Sequence, residues 1–333
     1  MKYDKIISFL PSATEILFEI GLGDTLKGVT HECTYPFKAS DKPQIISPSF
    51  DANGLNSVEI DKKIRDLSIN KKPVFIIDSK KVKEIKPDLI ISQNLCEVCA
   101  PFSREIQQVF SILGYKPRNI ELNPKNVCDI FESIIIIGQE TGNIEKAQQL
   151  VNKLTKRIDW VRQKLENSDM ENKSKKQKII CLEWVSPLYI AGHWVPQMVE
   201  LVDGINGIGK IGEMSKIISI DDIVKFDPDK IIIMPCGFDT KKTCKEAMDL
   251  NKDKRWNSLK AVRTQKTYVV DANSYFSKPS PRIVTGIEIL AKILHPDLFE
   301  ELKIPSDCYR NLENCHSDSV MSSPLTHDPN TAL

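Results

Sequence analysis

Ile85-Lys86-Pro87-Asp88-Leu89-Ile90-Ile91-Ser92 has a counterpart in the second half of the chain, Phe226-Asp227-Pro228-Asp229-Lys230-Ile231-Ile232-Ile233-Met234. Before each Pro-Asp a short amphipathic segment (81–85 or 221–226) leads into the turn, and a run rich in isoleucine follows. The proline ends the preceding helix, the aspartate favours a turn, and the apolar run is typical of a buried parallel strand. The repeat therefore predicts one helix-turn-strand unit in each half of the chain.

The beginnings of the two halves also resemble each other. Residues 6–10 are predicted to form a strand, followed by a loop at 11–14 and a helix over 15–20. In the second half the corresponding strand is predicted at 179–182 and the helix at 195–202. Alternating strands and helices are typical of doubly wound folds. The sequence thus predicts an α/β protein with two Rossmann-like lobes and a ligand cleft between them.

A long amphipathic segment separates the two halves. Its apolar residues recur every three or four positions over 142–167, the spacing of one helical face, and such a helix would be roughly 35 Å long. The segment after residue 305 is rich in Ser, Asp and Pro, which favours disorder. The predicted organisation is an N-terminal α/β lobe, a single long interlobe helix, a C-terminal α/β lobe and a disordered tail, at 1–140, 141–168, 177–300 and 305–333.

Composition limits the possible partners and location. The net charge of +1 offers no field that would attract nucleic acid, and no apolar run approaches the length of a membrane span. Polar residues interrupt the N-terminal apolar segment, so we expect no secretory leader and a cytoplasmic location. No catalytic motif for a hydrolase, metalloprotease or nucleotide-binding loop is present, and we expect the chain not to be an enzyme.

Loops after the predicted strands carry an unusual share of Trp, Tyr, His and Cys. In open α/β sheets ligands bind beyond the carboxyl ends of the strands, so these loops are the expected ligand contacts. The alternative is that the aromatic residues only cover the core at the sheet edge. The candidate ligand contacts are Pro11, Ser12, His31, Glu32, Tyr35, Gln93, Glu97, Glu183, Trp184, His193, Trp194, Phe238, Tyr275 and Phe276.

The nine cysteines include one pair with metal-ligand spacing, Cys96-Glu97-Val98-Cys99. A closed zinc site needs two further ligands, which His31, Cys33, His193 and Cys236 would supply if their loops converge. The tentative metal ligands are therefore Cys33, Cys96, Cys99 and Cys236. Simple packing of the thiols and redox use of the pair are the alternatives.

Several of these loop segments resemble the iron/vitamin B12 periplasmic-binding-protein family. The likeness is carried by Phe9-Leu10-Pro11-Ser12-Ala13-Thr14-Glu15, Lys86-Pro87-Asp88-Leu89-Ile90 and Ser280-Pro281-Arg282. It is closer to signal-less members of the cobalamin-binding branch, through Leu95-Cys96-Glu97-Val98-Cys99-Ala100 and Ala191-Gly192-His193-Trp194-Val195-Pro196. The resemblance covers roughly residues 5–296.

The resemblance implies a ligand clamped between two lobes that a rigid helix connects. In cobalamin-binding members aromatic side chains from both lobes hold the flat corrin ring, and the matching positions are Glu32, Trp184, Tyr275 and Phe276. The expected ligand is therefore cobalamin or a related corrinoid. The Cys, His and Glu residues of the loops would also suit a transition metal ion.

The resemblance also implies acidic docking residues for an ABC permease, seven positions before each Pro of the Pro-Asp turns. These positions are Lys80 and Asp221, and a lysine would repel the arginine pocket of such a permease. Our first hypothesis is thus a cytoplasmic corrinoid- or metal-chelate-binding protein. The alternatives are a cytosolic metal-site protein or enzyme that uses the cleft residues, and an ABC importer substrate-binding subunit.

Overall fold

The computed structural model describes residues 2–52, 54–93, 103–171 and 176–319. The first half forms a six-stranded sheet with the order β4-β3-β2-β1-β5-β6. All neighbouring strands are parallel except β3 and β4. Its strands are β1 (Ile6–Ser8), β2 (Leu26–Thr30), β3 (Gln44–Pro48), β4 (Phe75–Ile77), β5 (Leu89–Gln93) and β6 (Arg118–Leu122).

Helices cover this first sheet and lead away from it. They are α1 (Pro11–Glu19), α2 (Ser57–Ile69), α3 (Ser79–Ile85), α4 (Ser103–Leu113), α5 (Val127–Thr141) and α6 (Ile144–Glu171), with a short 3-10 helix at Phe37–Ala39. The loop predicted at 11–14 is instead the first turn of α1. Pro11 begins that helix because its missing N–H would have no partner there and its fixed φ suits a first turn.

The second half forms a mixed sheet with the order β10-β8-β7-β11-β12-β13, and β9 pairs with the start of β7. Its strands are β7 (Gln177–Val185), β8 (Leu188–Ile190), β9 (Gly204–Asn206), β10 (Lys216–Ile217), β11 (Lys230–Ile233), β12 (Thr267–Val270) and β13 (Tyr309–Asn311). Strand β7 is longer than predicted because it continues into a hairpin with β8, which places Glu183 and Trp184 in the strand and not in a loop.

The helices of the second half are mostly short. They are α7 (Val195–Leu201), α8 (Ile220–Phe226), α9 (Thr240–Ala247), α10 (Lys254–Ser258), α11 (Lys260–Arg263), α12 (Ala272–Tyr275) and α13 (Ile283–Leu294), with 3-10 helices at Met248–Lys252 and Leu312–Ser319. The two sheets and their helices confirm the predicted α/β fold with two lobes. Within the described residues no helix is both long and apolar enough to cross a bilayer.

The predicted repeat is present as two matching helix-turn-strand units, α3–β5 and α8–β11. Both helices have seven residues, and both end at a C-cap with φ of 50°, at Lys86 and Asp227. The aspartate of each turn accepts backbone hydrogen bonds from the adjacent strand of the sheet. Asp88 accepts hydrogen bonds from Asp4 N and Lys5 N before β1, and Asp229 accepts one from Lys178 N in β7. The Pro-Asp turns therefore link β5 to β1 in the first sheet and β11 to β7 in the second.

Helix α6 packs against both halves. Its buried residues, from Ala147 to Leu165, belong to a hydrophobic cluster that runs from the first sheet through α5 and α6 to α13 and the second sheet. Arg157 of α6 also binds Glu288 of α13 with Nε 2.8 Å from Oε1. A rigid helix thus shares its apolar face with elements of both lobes.

The prediction of disorder from residue 305 is wrong as far as Ser319. Strand β13 pairs with β12, and the side chains of Cys308 and Leu312 are buried, at 2% and 4% exposure. A disulfide joins Cys315 to Cys244 of α9. These three attachments hold a polar segment whose composition alone favours disorder.

Candidate functional site

A cavity of about 80 Å³ lies where strands of both sheets end. Gln93 ends β5 of the first sheet, Glu183 is near the end of β7, and Met234 directly follows β11. The carboxyl ends of parallel strands are the usual binding edge of such sheets. The described lining consists of Gln93, Glu183, Gly192, His193, Trp194, Val195, Met234, Cys236, Phe276, Ser277 and Pro279.

The hairpin of the second lobe positions the polar side of the cavity. Glu183 lies on β7, and Ser215 Oγ donates a hydrogen bond to its Oε2 at 2.5 Å. After β8 the chain passes Gly192 and His193 and enters α7. Two oriented polar groups, a carboxylate and an imidazole, therefore face the cavity from one structural unit.

Aromatic rings form the apolar side of the cavity. Trp194 is 4% exposed and Phe276 is 2% exposed, and the indole Nε1 of Trp194 donates to the backbone oxygen of Phe276 at 2.8 Å. This bond satisfies the only polar atom of the Trp194 side chain and fixes its ring plane. A rigid apolar wall of this kind suits a flat apolar ligand.

Trp184 and Phe238 lie outside this lining. Their ring centroids are 5.5 Å apart, and the Lys242 ammonium lies 3.9 Å from the Phe238 centroid. The pairing of β7 with β8 is irregular between Leu182 and Trp184, so the two neighbours Glu183 and Trp184 lie at a break in the regular strand pattern. The two rings form a separate aromatic pair on the second lobe.

A buried ion pair joins the lobes beside the cavity. Arg282, at the start of α13, donates from Nε to Glu15 Oε2 at 2.9 Å and from Nη2 to Oε1 at 2.5 Å. The Glu15 side chain is 2% exposed and that of Arg282 is 16% exposed. The guanidinium also lies 4.1 Å from the ring centroid of Tyr35 and 5.8 Å from that of Tyr275. Tyr35 and Tyr275, both predicted as ligand contacts, therefore lie against the arginine that connects the lobes.

A second chain of charges crosses between the lobes next to Ser277. Lys278 Nζ lies 3.4 Å from Glu32 Oε2, and the other oxygen of Glu32 lies 3.6 Å from His31 Nε2. Burial lowers the pKa of His31 more than the neighbouring carboxylate raises it. Glu32 is thus an ionic contact between lobes, where the resemblance implied a ring-binding position.

A third contact joins α2 of the first lobe to α9 of the second. The carboxylate of Glu246 accepts hydrogen bonds from Ser57 N, at 2.9 Å, and from Ser57 Oγ. Ser57 is fully buried and begins α2. Together with the two ionic contacts, this bond holds the lobes in a closed arrangement around the small cavity.

The predicted cysteine metal site does not assemble among the described residues. Cys33 is a core thiol whose Sγ accepts a hydrogen bond from Thr14 Oγ1 at 3.1 Å, and burial raises the pKa of this thiol. Cys236 does line the cavity. Cys96, Glu97 and Cys99 lie outside the described residues. No three His, Cys, Asp or Glu side chains are grouped for an ion within the described ranges.

The remaining candidates divide into two groups. Gln93, Glu183, His193, Trp194 and Phe276 line the cavity. Ser12 is buried in α1, and Pro11 begins the same helix. Sequence reasoning missed Glu15, Lys278 and Arg282 as contacts between lobes, although all three fall in or beside segments that carry the resemblance.

Comparison with known proteins agrees with this architecture. The family model described as periplasmic binding protein matches residues 6–274. An uncharacterized ABC transporter substrate-binding lipoprotein, YvrC of Bacillus subtilis, is 26% identical over 302 residues, covering 89% of this chain and 82% of that protein.

Two solved structures share the fold. The periplasmic vitamin B12 binding protein of Vibrio cholerae has a TM-score of 0.61 at 21% identity, covering 88% of this chain and 97% of that one. A periplasmic heme binding protein from Pseudomonas aeruginosa has a TM-score of 0.67 at 14% identity, covering 89% and 94%. The match of the family model over most of the chain, with two sheets and a cavity at their carboxyl ends, shows that the chain belongs to the periplasmic binding protein family.

Proposed function

We propose that the chain binds a flat metal-chelate macrocycle, a corrinoid such as cobalamin, in the cleft between its lobes. The observation that carries this proposal is the cavity itself. It lies at the carboxyl ends of strands from both sheets, with the rings of Trp194 and Phe276 on one side and the polar groups of Glu183 and His193 on another. A flat macrocycle with apolar faces and a polar periphery needs an aromatic wall and polar side chains in the same site.

The size of the cavity indicates how binding proceeds. Pockets that enclose a drug-sized ligand measure about 300–1,000 Å³, whereas this cavity measures about 80 Å³. A macrocycle therefore enters only after the lobes separate. Separation breaks the Ser57–Glu246 and Lys278–Glu32 contacts, and closure over a bound ligand restores some of them.

The names of the relatives support a macrocyclic ligand. The solved structures with this fold include proteins named for vitamin B12 and for heme. The loop motifs of the sequence favour the corrinoid over heme, since they match the cobalamin-binding branch. The ligand is thus proposed from the sequence motifs, and its place from the cavity.

Isothermal titration calorimetry of the purified chain with cyanocobalamin tests the proposal, with haemin and a ferric hydroxamate as competing ligands. We expect saturable binding of cyanocobalamin. Ser277→Trp places an indole in the cavity and should abolish the binding, whereas Ser168→Trp on α6 should not change it. Heat from haemin alone, or from none of the three ligands, would rule out the corrinoid.

We further propose that the protein holds its ligand in the cytoplasm. Lys80 is exposed on α3 at one position where a permease would meet an acid. At the other position Asp221 is paired with Arg255, with Nη1 3.2 Å from Oδ1. Neither position therefore presents an unpaired carboxylate, which supports hand-off within the cell over delivery to a permease.

Delivery to an ABC permease is the second candidate function. The Cys244–Cys315 disulfide favours it, because lasting disulfides are typical of oxidising compartments. Labelling of native cells with a membrane-impermeant thiol reagent, before and after lysis, distinguishes the two. Exposed Cys128 should react only after lysis if the protein is cytoplasmic. Labelling in intact cells would favour the permease.

A further inference from the structure

The residue His193 is held in an unfavourable backbone conformation at the cavity. Its φ is 52°, in the left-handed region, where a residue other than Gly or Asn costs roughly 1–2 kcal/mol. Hydrogen bonds on both sides hold it there, from His193 N to Glu213 O at 2.6 Å and from Gly212 N to His193 O at 2.9 Å. A histidine thus occupies a conformation that glycine would adopt more easily, and it does so at the edge of the cavity, which makes its imidazole a candidate for function.

The preceding residue shows how tightly this loop is built. A Cβ on Gly192 would lie 2.4 Å from Glu213 O, so the backbone of 192–193 is packed against 213–215 without room for a side chain. Gly192 N also donates to Ser215 Oγ at 3.1 Å. The imidazole of His193 is therefore presented from a loop that has little freedom to move.

One ring nitrogen of His193 has no hydrogen-bond partner among the described residues. Its Nδ1 is buried and makes no hydrogen bond, and burial lowers the pKa of the ring, which keeps it neutral near pH 7. His31 Nδ1 is likewise buried without a hydrogen bond, but His31 does not line the cavity. His295 Nε2 bonds to Val202 O at 2.8 Å, and His31 Nε2 faces Glu32. Of these three rings, His193 alone lines the cavity, and buried polar atoms normally have partners.

We propose that His193 donates an imidazole nitrogen to the metal of the bound chelate, as an axial ligand. This inference rests on the proposed function. The described residues contain no group of three ligating side chains that would hold a bare ion. A macrocycle supplies the equatorial ligands itself and leaves only axial positions, for which one neutral imidazole is sufficient. The step is a ligand exchange: water leaves the metal as the nitrogen lone pair forms the new bond, with no change of oxidation state.

A comparison of two cobalamins distinguishes ligation of the cobalt by His193 from binding of the corrinoid in general. Aquocobalamin carries an exchangeable water on cobalt, whereas cyanocobalamin carries a tightly held cyanide at the same position. In imidazole-free buffer at pH 7 we expect the wild-type chain to bind aquocobalamin at least tenfold more tightly than cyanocobalamin. The visible absorption band of aquocobalamin should shift on binding, and that of cyanocobalamin should not.

The test variant is His193→Gly, which suits the left-handed backbone and should raise the melting temperature or leave it unchanged. It should bind both cobalamins with the affinity that the wild type shows for cyanocobalamin, and the band shift should disappear. The matched control His295→Gln, at an imidazole outside both the cavity lining and the contacts between the lobes, should retain both the tenfold preference and the shift.

Each outcome has a defined meaning. Equal affinities and unshifted spectra in the wild type, or a shift that persists in His193→Gly, overturn the axial ligand and leave the proposed function standing. Failure of both cobalamins to bind overturns the proposed function, and the axial ligand with it. Loss of the preference in His295→Gln as well would show that the effect is not specific to His193, and would also overturn it.

Discussion

The two lobes share the α3–β5 and α8–β11 units but differ directly after the first strand of each sheet. In the first lobe β1 leads at once into α1, which begins at Pro11. In the second lobe β7 continues into a hairpin with β8 before α7 begins. The hairpin and the loop after it carry Glu183 and His193 into the cavity, whereas the first lobe contributes Gln93 among the described lining residues.

The two lobes therefore share a scaffold but contribute differently to the cavity. The second lobe supplies most of the cavity surface, and the first lobe supplies partners that close it: Glu15, Glu32 and Ser57. The scaffold is set by local turns, while the cavity depends on an insertion between equivalent elements. Breaking the shared turns and the closing contacts separately tests this view.

The largest expected effect concerns the ion pair between the lobes. Glu15→Gln leaves the guanidinium of Arg282 buried without its charge partner, and loss of one member of a buried pair costs about 3–5 kcal/mol. Urea denaturation should show this loss in the free energy of unfolding. Glu140→Gln, which removes the partner of the exposed Arg118, should cost at most about 1 kcal/mol. Equal losses in the two variants would contradict a special role for the pair.

The shared turns should respond alike in the two lobes. Asp88→Ala and Asp229→Ala each remove a carboxylate that accepts backbone N–H groups of the neighbouring strand, worth about 1–2 kcal/mol. Thermal and urea unfolding should show similar losses for both variants. Asp24→Ala, at an exposed loop position, is the control and should change little. A large loss from only one of the two turn variants would break the proposed equivalence.

The contact between Ser57 and Glu246 should affect binding more than folding. Glu246→Gln weakens a bond that exists only when the lobes are closed, so we expect a few-fold weaker affinity for the ligand. Calorimetry measures the affinity, and small-angle scattering of the free protein should show a larger radius of gyration. An unchanged affinity and radius would mean that this contact does not hold the lobes closed.

A pH-dependent effect distinguishes equivalent positions of the two repeats. Lys230 follows the turn of the second lobe where the first lobe has Leu89, and burial lowers the pKa of Lys230 to about 8 from 10.5. Between these values the unfolded chain binds more protons than the folded one, so unfolding free energy rises with pH. Lys230→Met should lack this rise between pH 8 and 10.5. Parallel pH profiles of variant and wild type would contradict the assignment.

Local sequence signals predicted the scaffold, and the long-range contacts explain what they missed. The Pro-Asp turns identified β5 and β11 because turn chemistry acts within a few residues. Pro11 was placed in a loop, although proline also suits the first turn of a helix. Cys33 carried a metal prediction because spacing cannot reveal the two threonines that bury its thiol.

The closing contacts had no local signal at all. Glu15 and Arg282 are 267 positions apart, and only the assembled lobes bring them together. Composition alone predicts disorder after residue 305. It contains no information on the partner strand β12 or on Cys244, which hold this segment in place. Sequence therefore predicted the repeated units well, and the contacts between distant units poorly.

Hydrogen–deuterium exchange with and without saturating cyanocobalamin tests most directly whether the cleft between the lobes binds the ligand. The account predicts slower exchange in segments that border the cavity from both lobes, at 89–93, 183–195, 234–238 and 275–279, and no change in the exposed turn at 114–116. Protection confined to one lobe, protection elsewhere, or no protection at all would contradict it.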